Sequence, residues 1–124
     1  MTRTILIVDD QSDARQLIRM VMEIENCTIL EASNGQRGLS MAEEYKPDCL
    51  IVDLRMPGRM DGISLCQAIK ADPELSRIPV IILTAFYSAE MEQHSRIAGA
   101  AAFLEKPCNF FHLIQEVERV TLQI

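Results

Sequence analysis

The sequence predicts an α/β domain: a doubly wound sheet of five parallel strands flanked by five helices. Two observations predict it. Short apolar, β-branched runs alternate five times with segments of helical period, the pattern of successive βαβ units. Two of those runs, Thr4 to Val8 and Cys49 to Val52, end directly on acids, Asp9-Asp10 and Asp53. Buried strands that deliver carboxylates to one edge of a sheet are an arrangement for chemistry.

The strands are expected at Thr4 to Val8, Thr28 to Ala32, Leu50 to Val52, Val80 to Thr84 and Ala101 to Leu104. Each reads as buried on both faces, as strands of a parallel sheet do. The helices are expected at Ser12 to Glu25, Asn34 to Tyr45, Gly62 to Ala71, Ser88 to Ala98 and Asn109 to Leu122. Ser12, Asn34, Ser88 and Asn109 can each cap an opening turn. Lys46-Pro47-Asp48, Asp72-Pro73 and Ile78-Pro79 end helices or begin strands, because the residue before a proline leaves the helical region.

A length of 124 residues, with 48% hydrophobic and 24% charged residues, fits one domain over 1–124 and leaves no room for an output domain. Twelve basic against eighteen acidic residues give a net charge of −6. That balance argues against direct binding of nucleic acid or an anionic membrane. Cys27, Cys49, Cys66 and Cys108 are widely spaced, and three of them lie in apolar segments. They read as small hydrophobes in a reducing, cytoplasmic protein. No signal peptide is evident, and no apolar run approaches the roughly 18 residues of a membrane span.

In an open doubly wound sheet, ligands collect beyond the carboxyl ends of the strands, where the strand order reverses. Asp9, Asp10, Asp53, Thr84 and Glu105-Lys106 all fall at such ends. Three neighbouring carboxylates repel one another, and without a cation at least one is pushed toward its neutral form. A hard divalent ion answers this: Mg2+ takes oxygen ligands and is usually held by one or two carboxylates plus a phosphate. With Asp9 or Asp10 on the metal, Asp53 is free as a nucleophile toward phosphorus. The Lys106 ammonium and the Thr84 hydroxyl could each take a phosphoryl oxygen. Taken singly, an Asp at a strand end is ordinarily a turn former and Lys106 a solvated lysine. Their joint placement carries the reading.

The chain resembles the receiver domain of two-component response regulators, in particular the single-domain chemotaxis type, over essentially its whole length. The resemblance rests on Ile5-Leu6-Ile7-Val8-Asp9-Asp10, Pro47-Asp48, Val52-Asp53-Leu54-Arg55-Met56-Pro57, Asp61-Gly62, Pro79-Val80-Ile81-Ile82-Leu83-Thr84-Ala85 and Lys106-Pro107. It implies a flavodoxin-like fold and phosphorylation of Asp53 by a sensor histidine kinase or histidine phosphotransfer protein. It implies Mg2+, with Mn2+ as the alternative ion, held by Asp9, Asp10, Asp53 and the Arg55 carbonyl. Thr84 and Lys106 would clamp the phosphoryl group, and the Lys106-Pro107 bond would be cis. Phe103 stands where the family places an aromatic switch residue working with Thr84.

Three departures from the family pattern stand out. The loop Met56-Pro57-Gly58-Arg59-Met60-Asp61-Gly62 carries one extra residue, most simply Arg59. Cys108 replaces the usual Phe after Lys106-Pro107. Arg55 and Phe86, two positions beyond the phosphoacceptor and the threonine, are both large, so slow loss of phosphate is expected. In one common subclass, dimers form through acidic residues near the start of the fifth strand. Ala100-Ala101-Ala102 in that place argues against such a dimer.

On the first helix, Leu17, Met20, Val21 and Ile24 face one way, and Ala14, Ile18 and Met22 widen the apolar arc to about 200°, beyond a core-facing stripe of about 100°. Ala14, Ile18 and Met22 are therefore expected to dock a helical, histidine-bearing partner. The expected function is a phosphorylation-switched signalling module that catalyses its own phosphorylation and dephosphorylation and turns over no metabolite. A receiver acting by constitutive binding is the alternative. An Asp-nucleophile phosphohydrolase would want a second Asp where Arg55 stands, and in a flavodoxin-like cofactor binder Asp9-Asp10 would repel the phosphate.

Overall fold

In the computed structural model, which describes residues 2–107 and 109–121, elements alternate strictly. They are β1 (Thr4–Val8), α1 (Ser12–Ile24), β2 (Thr28–Ala32), α2 (Gly35–Tyr45), β3 (Cys49–Asp53), α3 (Gly62–Ala71), β4 (Val80–Thr84), α4 (Ala89–Ala98), β5 (Ala102–Glu105) and α5 (Phe110–Thr121). All strand pairings are parallel. The strand order is β2-β1-β3-β4-β5, the flavodoxin-like order, which reverses direction between β1 and β3. The expected doubly wound fold is present. The carboxyl ends of β1 and β3, where Asp9 and Asp53 lie, flank that switch point.

Side chains alternate across each strand and build one core on each face of the sheet. Leu6, Val8, Leu50, Val52, Val80 and Ile82 pack with Met41, Leu65 and Ile69. Ile5, Ile7, Ile51, Ile81 and Leu83 pack on the other face with Ile18, Met22, Leu113 and Val117. β4 is buried throughout, and β1 and β3 are buried except at Thr4 and Asp53. β2 and β5 are sheet edges with intermediate and exposed positions, so the expectation of burial on both faces fails for them. Cys27, Cys49 and Cys66 are buried free thiols, and burial pushes the Cys49 thiol up to about 12. Cys108 lies outside the described residues, as does the expected helix end at Leu122.

Three of the four expected caps are present. Asn34 accepts from the Arg37 N–H at 2.8 Å, Ser88 from Met91 at 3.1 Å and Asn109 from Phe111 at 2.8 Å. Ser12 is instead the first helical residue, behind Gln11, which makes no side-chain cap. Asp9 takes over part of that role, accepting from the Gln11 N–H at 2.9 Å. α3 opens on Asp61, which accepts from the Ser64 N–H at 2.8 Å. Among the described residues no helix is long and apolar enough to cross a membrane.

The phase of α1 differs from expectation. Ile18 and Met22, 5% and 1% exposed, belong to the core, whereas Leu17, Met20 and Ile24 are 49%, 57% and 79% exposed. An apolar arc wider than the core requires leaves the helix phase open. Polar contacts decide it here: Arg15 and Arg19 both reach Glu31 on edge strand β2. That orientation turns Ile18 and Met22 toward Leu113 and Val117.

Candidate functional site

Asp9, Asp10 and Asp53 converge at the switch point, each offering a carboxylate oxygen within 4.8 Å of the other two. The three differ in surroundings. Asp9 is 2% exposed; its N–H donates to Ala32 O at 3.1 Å, and its Oδ2 accepts from Lys106 Nζ at 2.9 Å. Asp53, at the end of β3, lies 3.7 Å from the same ammonium. Asp10 is exposed.

The Asp53 carboxyl is pushed up to about 6. Desolvation is the leading cause, with repulsion from Asp9 and Asp10 adding to it; Lys106 and the Arg55 backbone N–H pull the other way. Burial and like charge both favour the neutral acid.

β4 and β5 supply the cationic and hydroxyl partners. Thr84 is fully buried, and its Oγ1 accepts from the Phe86 N–H at 3.0 Å. Lys106 N–H donates to Thr84 O at 2.6 Å, which locks the ends of the two strands together. The Lys106-Pro107 peptide is cis. Phe103, half-buried, stands with its ring centroid 5.9 Å from that of Tyr87. The Tyr87 hydroxyl donates to Glu92 Oε1 at 2.8 Å.

The loop after Asp53 is anchored at both ends. Met56 is buried, Met60 packs against the core, and Arg59 between them is exposed. Gly62 N–H donates to Leu54 O at 2.9 Å. This brings Gly62 so close to β3 that a Cβ there would lie 2.6 Å from Asp53 O and 2.9 Å from Leu54 Cα. Arg55, Met56, Pro57, Asp61 and Met91 line a groove of about 400 Å3 beside the site. The Arg55 guanidinium carbon lies 4.6 Å from the Phe86 ring centroid.

A second groove of about 400 Å3 runs on the other side of Lys106, lined by Ala14, Leu17, Leu83, Ala85, Pro107 and Phe110. The α1 residues expected to dock a partner differ in exposure. Ile18 forms only the floor of this groove, and Met22 is in the core, while Leu17 is at the surface.

Sequence patterns do not reveal one neighbour of the acids. Arg15 Nη1 donates to the Asp9 carbonyl at 2.6 Å while its Nε donates to Glu31 Oε1 at 2.9 Å. The Arg55–Phe86 contact is equally hidden, since it joins two loops 31 positions apart in the chain.

A family model described as the response regulator receiver domain matches residues 5–118. The polar-differentiation response regulator DivK of Brucella anthropi is 30% identical over 118 residues, covering 95% of each protein. An uncharacterized 14.6 kDa protein of Leptolyngbya boryana is 35% identical over 118 residues, 95% of this chain and 89% of that one. Among solved structures, Vibrio cholerae chemotaxis protein CheY4 superposes with a TM-score of 0.90 at 28% identity, covering 97% of this chain and 99% of that one. The signal receiver domain of a Syntrophus aciditrophicus signal transduction histidine kinase does so with a TM-score of 0.89 at 32% identity, covering 97% and 90%. Family match and relatives alike span nearly all of a chain whose acids meet at the switch point, and the protein belongs to the response regulator receiver family of two-component signalling.

Proposed function

We propose that Asp53 accepts a phosphoryl group from the phosphohistidine of a sensor histidine kinase or histidine phosphotransfer protein, and that the phosphorylated chain signals through altered partner binding. The observation that carries this is the meeting of Asp9, Asp10 and Asp53 within 4.8 Å, with Lys106 bridging Asp9 and Asp53. An Asp53 carboxylate oxygen attacks phosphorus, the P–N bond breaks, and its electron pair leaves with the imidazole. The Lys106 ammonium is positioned to shift from the carboxylates to a phosphoryl oxygen. The Thr84 hydroxyl, which accepts from Phe86, keeps its own proton to donate to another.

The donor set fits Mg2+ or Mn2+: three carboxylates, all hard oxygen ligands, in mutual repulsion that a divalent cation relieves. Asp9, Asp10 and Asp53 would hold it, with the Arg55 carbonyl as a further ligand, and the ion would supply charge neutralisation on the phosphoryl oxygens. The described Arg55 contacts involve its backbone N–H and guanidinium, so its carbonyl role rests on family likeness alone. A helical partner reaching Asp53 would meet the apolar groove of Ala14, Leu17, Pro107 and Phe110. The chain acts in the cytoplasm in this reading.

Acetyl phosphate with Mg2+ tests it. The expected result is a mass gain of one phosphoryl group located on Asp53, absent from Asp53→Asn and abolished by chelator. Labelling elsewhere, or none in the wild type, would overturn the assignment.

A further inference from the structure

We propose that Arg15 is a positioning residue for the divalent-cation site, an inference that rests on the reading of the three acids given above. Arg15 sits in the first turns of α1 and its guanidinium bridges two elements. Nη1 donates to the Asp9 carbonyl at 2.6 Å and Nε to Glu31 Oε1 at 2.9 Å. Glu31 Oε2 accepts in turn from Arg19 Nε at 2.6 Å, and Arg19 also donates to Glu23 at 3.1 Å and to Ile29 O at 3.3 Å. The Arg15 side chain is only 17% exposed, so its fork is fixed in place.

The Asp9–Asp10 peptide is what this fork holds. The Asp9 N–H is bonded to Ala32 O, and the Asp9 carboxylate closes a turn onto the Gln11 N–H. Arg15 occupies the remaining polar group, the carbonyl. Asp10 is exposed, and among the described residues no side-chain hydrogen bond orients its carboxylate. Its direction therefore follows from the plane of the peptide before it. Outer partners of metal ligands typically contribute tenfold to a hundredfold in metal affinity.

A lysine cannot reproduce this contact, because one ammonium does not present two fixed, divergent N–H groups. The sign of the effect separates positioning from charge. An arginine acting only as a nearby cation would repel Mg2+, and its removal would tighten binding. An arginine that orients the ligand loop does the opposite.

Calorimetric titration of the full chain with Mg2+ and with Mn2+ tests the proposal in wild type, Arg15→Ala, Arg15→Lys and Glu31→Gln. Arg15→Ala is expected to weaken both ions about tenfold or more, with Arg15→Lys and Glu31→Gln between it and wild type. With acetyl phosphate, the Mg2+ concentration for half-maximal phosphorylation should rise in the same order, while the rate at saturating Mg2+ stays within about twofold. Thermal midpoints in chelator report the fold separately, and Arg15→Lys carries the test if Arg15→Ala does not fold. Unchanged or tighter binding in the folded arginine variants overturns the proposal, as does a saturating rate that falls with the affinity. A wild type that binds neither ion overturns the underlying reading of the three acids as well.

Discussion

Arg55 and Phe86, in the loops that follow Asp53 and Thr84, lean on each other, guanidinium carbon to ring centroid at 4.6 Å. Phe86 is also tied inward, its N–H bonded to the Thr84 hydroxyl. Two bulky residues from separate loops, each two positions beyond a candidate site residue, are thereby joined. An exposed cation–π contact contributes about 0.5–1 kcal/mol. If that contact holds water away from a phosphorylated Asp53, its loss speeds hydrolysis about twofold to fivefold. Decay of the phosphorylated chain after removal of the donor is expected to quicken by this factor in Arg55→Asn and in Phe86→Ala. Equal or slower decay in both variants would count against shielding.

The raised Asp53 carboxyl makes a prediction about stability. Its folded value of about 6 exceeds the ordinary 3.8, so the folded chain binds this proton more tightly than the unfolded chain does. Without divalent ions, the Asp53 contribution to stability grows as pH falls through about 6 and saturates below the unfolded value. At neutral pH the ionised group is a liability. Asp53→Asn should therefore raise the thermal midpoint at pH 7.5 in chelator and flatten its dependence between pH 7 and pH 5. Equal midpoints and parallel profiles would show that Asp53 is not the strained group.

The architecture was legible because strand signals are local. β1, β2 and β4 match the expected runs residue for residue, β3 is one residue longer at each end and β5 is shifted by one position. The convergence of Asp9, Asp10, Asp53, Thr84 and Lys106 was legible for a related reason: in a parallel sheet every strand ends on the same edge, so residues after strands meet. The face of α1 was not legible. Its apolar arc exceeds one side, and the deciding ion pairs, Arg15 and Arg19 on Glu31, join a helix to a strand through spacing that no periodicity encodes. Edge position was hidden likewise, since Thr28-Ile29-Leu30 reads like a central strand until its neighbours are known.

Phe103 offers a test of switching. Its ring is half-buried beside Tyr87, whose hydroxyl is held by Glu92 on α4. A population shift needs contacts that differ between two states, and an inward movement of Phe103 would break the Tyr87 pairing. Phe103→Ala is expected to leave the Asp53 phosphorylation rate within about twofold, because its ring packs against Tyr87 and the apolar core. It should abolish the phosphorylation-dependent change in amide exchange along β5 and the segment before α4. Retention of that change would make Phe103 a packing residue only.

The loop after Asp53 divides into a position that tolerates change and one that does not. Arg59 is exposed between the anchored Met56 and Met60, so the extra residue is taken up on the solvent side. Gly62 is different: its N–H bonds Leu54 O, and a Cβ would meet Asp53 O at 2.6 Å. Real Cβ atoms do not approach backbone so closely, and both contacting groups belong to the strand end that carries the candidate phosphoacceptor. Gly62→Ala must either push α3 from the sheet or displace Asp53, at a cost of about 1–3 kcal/mol for such overpacking. Urea unfolding should place Arg59→Ala within about 0.5 kcal/mol of wild type and show the Gly62→Ala loss. Phosphorylation by acetyl phosphate should fall in Gly62→Ala even where the protein remains fully folded, because displacement of Asp53 disturbs its separation from Lys106. A fully folded Gly62→Ala chain with wild-type phosphorylation would mean that the strain is absorbed by α3 instead.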